Sequence, residues 1–338
     1  MFFIDKYEPK TKYEIKFHHD IYKLLEVISK HDSIPHIIIS GPSESGKKTL
    51  IKIFLKMIFD DSVLNTKPTI YSVSGSGSNA NKEITVQQSS YHIVVEPSNN
   101  NSDFYLIQCV VKQFASISPL KVFETKRDFK VVLINRIDTL SKSAQASLRR
   151  TIERYSKTCR FIMWCRSSSQ VIDSLRSRCF CINVPSPSEK ELLGLIVNVA
   201  HQEKIPMEIE DYIDILDRSK GRVKTALWML QFKQLKQEYV TSYDLIIDEI
   251  IKILLSDKME RIKNIRKLIY NIIITNIKGT EIIKSIVSRL ITKIKKEKLI
   301  CDIIAEAAKF EHRLTLGRRE IFHLEGFINT VYAMVHLT

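Results

Sequence analysis

The chain has 338 residues, 44% hydrophobic and 27% charged, the balance of a soluble globular protein long enough for two or three domains. Lysine and arginine number 52 against 38 aspartate and glutamate, a net charge of +14 that favours a polyanionic partner, nucleic acid first, although an AT-rich genome would also enrich lysine. The six cysteines show no C-x2-C pairing, so neither a zinc site nor a disulfide framework is expected, and no apolar run is long enough to span a membrane.

Met1-Phe2-Phe3 leads into charged residues rather than a signal peptide, so a soluble intracellular protein is expected. Phe3 to Lys10, FIDKYEPK, combines aromatics with a proline and predicts a packed turn. Apolar spacing predicts a helix over 21–28. His36 to Ser40 is a short β-branched run and reads as a buried strand. The loop that follows is Gly41-Pro42-Ser43-Glu44-Ser45-Gly46-Lys47-Lys48-Thr49. After it, Leu50, Ile53, Phe54, Met57 and Ile58 recur at helical spacing.

A strand, a glycine-bounded loop and a helix form the setting of a phosphate-binding loop. The two glycines let backbone N–H groups face phosphate oxygens, and the helix start adds about half a positive charge. Lys47 stands where the phosphate-binding lysine belongs. The next residue should be Ser or Thr, whose hydroxyl holds Mg²⁺. It is Lys48, which cannot ligate a cation, and Thr49 comes one place late.

Residues 60–105 are less regular. Ser74 to Asn81 and Ser98 to Asn101 read as polar loops, and 91–95 as a strand. A helical pattern resumes over 104–116. Lys130 to Ile134 is a second buried strand. Ser141 is a good N-cap for a helix carrying Ala144, Leu148 and Ile152. Residues 161–165 and 180–184 are further strands. Strands alternating with helices predict a parallel sheet covered on both faces. Pro185-Ser186-Pro187-Ser188 breaks the pattern. Beyond it only helices are expected: 189–201, 209–216 and 223–235, then longer ones at 243–255, 259–274, 281–294, 299–314 and 319–335. The domains expected are 1–184, 185–240 and 241–338.

A hydrolysing P-loop enzyme needs an acidic pair at the end of the second strand. Here Asn135 and Arg136 occupy those places. Arginine cannot accept a proton from water near neutral pH. Lys48, Asn135 and Arg136 are three defects pointing the same way, towards binding without hydrolysis. Asp138 survives nearby and reads as a turn or cap residue. Arg178, in Ser177-Arg178-Cys179 before the last strand, stands outside the expected pocket of its own chain. Such an arginine can serve a neighbour's γ-phosphate or simply be solvated.

GPSESGKKT, AQASLRRTIERYSKTCRFIMWC, SRC and PSPSE together resemble the small subunits of replication factor C, the eukaryotic sliding-clamp loader. DKYEP is similar to the family's DKYRP, with Glu8 in place of arginine. Arg313-Leu314-Thr315-Leu316-Gly317 and Ile321 to Phe327 resemble in particular the ring-end subunits numbered fifth in yeast and third in humans. The resemblance covers nearly the whole chain. It implies an α/β AAA+ P-loop domain, a small helical lid and an all-α collar that assembles a hetero-pentamer.

It further implies that Gly41, Pro42, Ser43, Glu44, Ser45, Gly46, Lys47, Lys48 and Thr49 hold ATP or ADP in a structural role, with the Mg²⁺ site in doubt. Arg178 would be the finger donated to the adjacent ATP. Arg166 stands at the first sensor position and Lys224 at the second, where the family has arginine. Arg149 and Arg150 match paired arginines whose roles are intersubunit coupling or DNA phosphate contact; a solvated helix face fits them equally. The implied partners are the other loader subunits, a sliding clamp and primer–template DNA, with no membrane. The implied location is the nucleus if the protein is cellular and a cytoplasmic replication factory if it is viral. Two alternatives stay open: an autonomous DNA-dependent P-loop ATPase, and a shared subunit of a checkpoint clamp-loader ring.

Overall fold

A computed structural model of the chain describes residues 1–11, 14–74, 81–97, 102–116, 127–256, 262–275, 277–317 and 319–336. The chain divides into two compact units, Met1–Glu238 and Tyr239–Thr338.

The first unit opens with α1 (Phe3–Lys6) and α2 (His19–Lys30), then β1 (Ile37–Ser40) and α3 (Lys47–Phe59). A hairpin follows, β2 (Lys67–Ser74) and β3 (Asn81–Gln88), and then β4 (His92–Val95). The helical stretch expected over 104–116 is α4 (Ser102–Tyr105), a π-helical turn (Leu106–Val111) and α5 (Lys112–Ser116). Next come β5 (Lys130–Ile134), α6 (Lys142–Arg154), β6 (Cys159–Cys165), α7 (Asp173–Arg176) and β7 (Phe180–Asn183). Ser141 caps α6 by accepting from the Ala144 amide. The loop expected at 98–101 lies outside the described residues, as does the one at 74–81 between its two ends.

The seven strands form one sheet in the order β2-β3-β4-β5-β6-β1-β7. The five from β4 to β7 run parallel, and the hairpin adds antiparallel strands at one edge. Alternation along the parallel strands fills both faces. Ile38, Val132, Ile134, Phe161 and Met163 enter one apolar cluster with Leu148 and Ile152 of α6. Ile37, Ile39, Val131, Ile162 and Trp164 enter the other with Phe54 and Leu55 of α3. Burial on both faces is why these strands read as continuous apolar runs.

Three helices complete this unit: α8 (Glu189–Gln202), α9 (Ile209–Ser219) and α10 (Val223–Gln234). Ser188 and Glu191 close a capping box at the start of α8, just after the two prolines. The N-terminal segment is packed onto these helices. Phe3 is buried and its amide donates to Gln231 at 3.1 Å. Lys6 and Tyr7 both donate to Glu203 Oε1, at 2.6 and 2.5 Å. Burial, and then the Glu203 carboxylate, push the Tyr7 phenol up to about 12. Glu8 pairs with Lys52 of α3 at 2.7 Å, so a negative charge at that position has a partner on the helix behind the loop.

The second unit is α11 (Ser242–Leu254), α12 (Ile262–Ile274), α13 (Gly279–Ile291), α14 (Glu297–Leu316) and α15 (Glu320–His336), with no strand among its described residues. One apolar cluster joins all five: Ile250, Ile269, Ile286, Phe327, and Ile303 and Phe310 of α14 enter it. Arg289 of α13 ties back to α11, pairing with Asp244 and with Asp248 at 3.1 Å.

Two histidines in the first unit make its stability pH-dependent. His36 accepts the Phe161 amide at 3.2 Å on Nδ1, and His92 pairs with the Ser89 hydroxyl at 2.7 Å. Burial holds both at about 4, against 6.5 for a free histidine. The folded value lies below the unfolded one, so this stability is complete above about pH 6.5. It falls as pH drops towards 4, by about 1.4 kcal/mol per pH unit per histidine. Melting temperatures measured from pH 7 to pH 4.5 are therefore expected to decline below pH 6.5. A flat profile over that range would contradict the assignment.

Candidate functional site

Five parallel strands end at the same edge of the sheet, where ligands of open α/β sheets bind. Gly41 follows β1, Glu96 follows β4, Asn135 follows β5, Arg166 follows β6 and Val184 follows β7. The site is assembled from these positions.

The loop after β1 depends on its glycines. Gly41 has φ +154°, and a Cβ there would overlap the Val184 carbonyl oxygen. Gly46, at φ +87°, is the left-handed residue from which α3 starts. Ser45 is fully buried, and its carbonyl accepts from His18 Nε2 at 3.1 Å. Lys47 is buried at the first position of α3. Its ammonium donates to the Gly41 carbonyl at 2.8 Å, to the Pro42 carbonyl and to Ser45 Oγ at 3.3 Å. Burial lowers its pKa. Pro42 and Ser43 are exposed at the loop tip. Thr49 is the third residue of α3 rather than part of the loop. A curled backbone, a buried lysine and the start of a 13-residue helix fit the phosphates of a nucleotide.

The same edge does not fit Mg²⁺. Lys48 is exposed and lies 3.8 Å from Glu96 Oε1, with its ammonium 5.6 Å from the centre of the Trp164 ring. Asn135 is buried and its amide is hydrogen-bonded at both ends. Oδ1 accepts from Trp164 Nε1 at 2.8 Å, and Nδ2 donates to Glu96 Oε1. Arg136 turns the chain in a left-handed conformation, φ +49°. Asp138 accepts the Arg166 amide at 3.3 Å, as a turn residue would. A carboxylate does stand at the site: Glu96, at the end of β4. It is held by an amide and faces a lysine, so the positions that would cradle a metal carry cations and a committed amide. Among the described residues no group of three acidic, His or Cys side chains is arranged to hold a metal ion.

The loop is joined to the helices after the sheet. Glu44, in a left-handed turn at φ +62°, accepts from the Thr225 amide at 3.1 Å and from its hydroxyl at 3.0 Å. Lys224 is the preceding residue, exposed in the first turn of α10. The residue next to Lys224 is thereby bonded to the loop.

Arg178 is elsewhere. Phe180 pairs with Ile37 and Asn183 with Ser40. Arg178 thus lies before the start of β7 and Gly41 beyond the far end of β1. Four residues of strand separate the edges, roughly 13 Å at about 3.3 Å per residue. An arginine side chain does not span that distance, so Arg178 cannot serve the loop of its own chain. It makes an ion pair with Glu153 at 2.6 Å. Arg149 and Arg150 are on α6, the first half-buried and the second exposed. Arg149 Nε lies 3.8 Å from the same Glu153 oxygen.

Glu96, Glu153, Trp164 and Thr225 were not among the residues expected from sequence. Glu96 follows an apolar strand directly, and that position was the available signal. The other three become visible only through tertiary contact.

Two family descriptions match the sequence: "Replication factor C subunit 3, C-terminal domain" over residues 243–338, and "DNA polymerase III, delta subunit" over 17–188. The chain is 41% identical to a protein of Acanthamoeba polyphaga mimivirus named as a replication factor C small subunit, over 98% of this chain and 90% of that one. It is 30% identical to replication factor C subunit 3 of Homo sapiens, over 98% of this chain and 95% of the human one. It is also 30% identical to replication factor C subunit 5 of Saccharomyces cerevisiae, over 97% and 98% respectively.

The loop geometry predicts the effect of two substitutions. Gly41→Ala drives a methyl group into backbone and is expected to cost more than about 2 kcal/mol in denaturant unfolding, with weakened binding of a fluorescent ATP analogue. Gly194→Ala, in α8 with nothing within 4 Å, is expected to be neutral or to stabilise by up to about 1 kcal/mol. Equal tolerance at both positions would contradict the close approach of β7 to the loop.

Proposed function

The chain belongs to the replication factor C small-subunit family, and from that premise we propose that it is the nucleotide-holding, non-hydrolysing member of a pentameric clamp loader. Its first unit grips ATP or ADP, and its catalytic contribution is Arg178, donated to the ATP of the adjacent subunit. The ring opens a sliding clamp and places it on primer–template DNA.

One observation carries this reading. The Asn135 amide is committed to Trp164 and Glu96 where a hydrolysing enzyme needs a free carboxylate. An amide neither activates water nor neutralises Mg²⁺. Lys48 supports the same conclusion from the loop side. Nucleotide phosphates would be held by the loop N–H groups, the start of α3 and Lys47, swung from the carbonyls it now contacts. Glu44, bonded to Thr225, would pass a change in the loop to α10, with Lys224 as the cation nearest that link. An autonomous ATPase would have to recruit Glu96 as base. Its engagement with Asn135 and Lys48 counts against that role.

The rest of the assignment follows the family. Residues 1–184 would be the AAA+ domain, 185–240 the lid and 241–338 the collar that joins the other subunits. Arg149 and Arg150 would serve coupling or DNA phosphate contact. Phosphate contacts carry no base information, so the loader would hold DNA without reading its sequence. The site of action would be the nucleus for a cellular protein and a cytoplasmic factory for a viral one. No helix among the described residues is long and apolar enough to cross a membrane.

Arg178→Ala is the direct test. In the reconstituted ring it is expected to reduce hydrolysis at the one neighbouring site by about 10³-fold, the effect of losing an arginine finger. Subunit composition, measured by native mass spectrometry, is expected to stay intact. Undiminished DNA-stimulated hydrolysis at that site would refute the proposal.

A further inference from the structure

We propose that Glu153 is a positioning residue for Arg178, fixing the guanidinium so that one face of its fork is presented to the neighbouring subunit. This rests on the reading of Arg178 given above.

Glu153 lies in the last turn of α6, a position where a carboxylate opposes the helix dipole. Two arginines offset that charge. Arg178 Nε is 2.6 Å from Glu153 Oε1, and Arg149 Nε is 3.8 Å from the same oxygen. The nearer is a close ion pair and the farther a long one, and the Arg149 Nε is otherwise buried without a partner. Glu153 is therefore committed first to Arg178.

The remaining nitrogens of Arg178 decide what that commitment does. Nη1 donates to the Ser174 carbonyl at 2.7 Å and lies 3.4 Å from the Ser177 hydroxyl. Two of the three nitrogens are thus held, one by α6 and one by α7. Nη2 has no hydrogen bond among the described residues. The side chain remains 40% exposed. An ion pair this exposed adds little to stability, so its consequence is geometric. A flexible arginine becomes a held fork with one nitrogen left without a hydrogen bond among the described residues. Positioning of this kind raises the rate at the reacting centre without raising affinity for substrate.

Arg149, one of the paired arginines of α6, and Arg178, in the Ser177-Arg178-Cys179 turn, thus meet at one carboxylate.

The test uses the reconstituted ring and steady-state hydrolysis at the neighbouring site. Glu153→Ala is expected to lower kcat about tenfold, with KM for ATP and the melting temperature of the chain unchanged. Glu153→Gln keeps an acceptor for Nε and is expected to stay within about threefold of the parent. In an Arg178→Ala background, Glu153→Ala is expected to have no further effect. The proposal is overturned if Glu153→Ala leaves kcat unaltered, if Glu153→Gln falls as far as alanine, or if the two alanine substitutions add. If Arg178→Ala alone has no effect, the role assigned to Arg178 fails. Glu153 is at fault only when Arg178→Ala is damaging and Glu153→Ala is not.

Discussion

The parallel pairing of β1 with β7 is the constraint on which the rest depends. It sets Ile37 beside Phe180 and Ser40 beside Asn183. It thereby fixes the phosphate loop at one edge of the sheet and Arg178 at the other. β1 is buried on both faces, and β7 sends Ile182 into the same apolar cluster as Ile37 and Ile39, so a one-residue slip would turn Ile182 out of that core. The separation between the nucleotide loop and the arginine is therefore a property of the core. On the function proposed for this chain, holding a nucleotide and assisting hydrolysis of another would be functions of opposite edges, brought together by assembly.

At the loop edge, two of the positions that would serve a metal or a water, Asn135 and Lys48, hold side chains with partners of their own. Trp164, packed in the core beneath α3, donates its indole N–H to Asn135, and Asn135 donates to Glu96. An aspartate at 135 could accept from Trp164 but could not donate to Glu96. It would also place two carboxylates side by side, which repel each other. The asparagine is thus matched to its surroundings, and one substitution at that position would not restore hydrolysis. Lys48 brings a positive charge to the edge that a metal would otherwise supply, close to the carboxylate of Glu96.

Most of the fold was legible because the physics is local. The core strands carry short apolar runs, and the helices after Pro187 carry apolar periodicity. The β2–β3 hairpin was missed because one of its faces is solvated. Ile84-Thr85-Val86-Gln87 does alternate with period two, but lysine, serine and threonine around it read as loop, and Ile70 is largely exposed. The π-helical turn at Leu106–Val111 has no signature distinct from a helix. At the site, the loop and its odd lysine are contiguous in sequence and were readable. The partners of Asn135 and Arg178 are dozens of residues away and were not. Contiguous motifs announced which groups were absent, whereas the side chains that replaced them came from strand ends and helix termini that only the register brings together.

The central claim is that this chain holds nucleotide without using a metal to hydrolyse it. The most direct measurement loads the isolated chain with γ-labelled ATP, with Mg²⁺ or with EDTA, and follows both retained nucleotide and released phosphate. The account predicts the same retention in either condition and no phosphate release above the buffer rate. Nucleotide bound only when Mg²⁺ is present, with phosphate released by the chain alone, would contradict it.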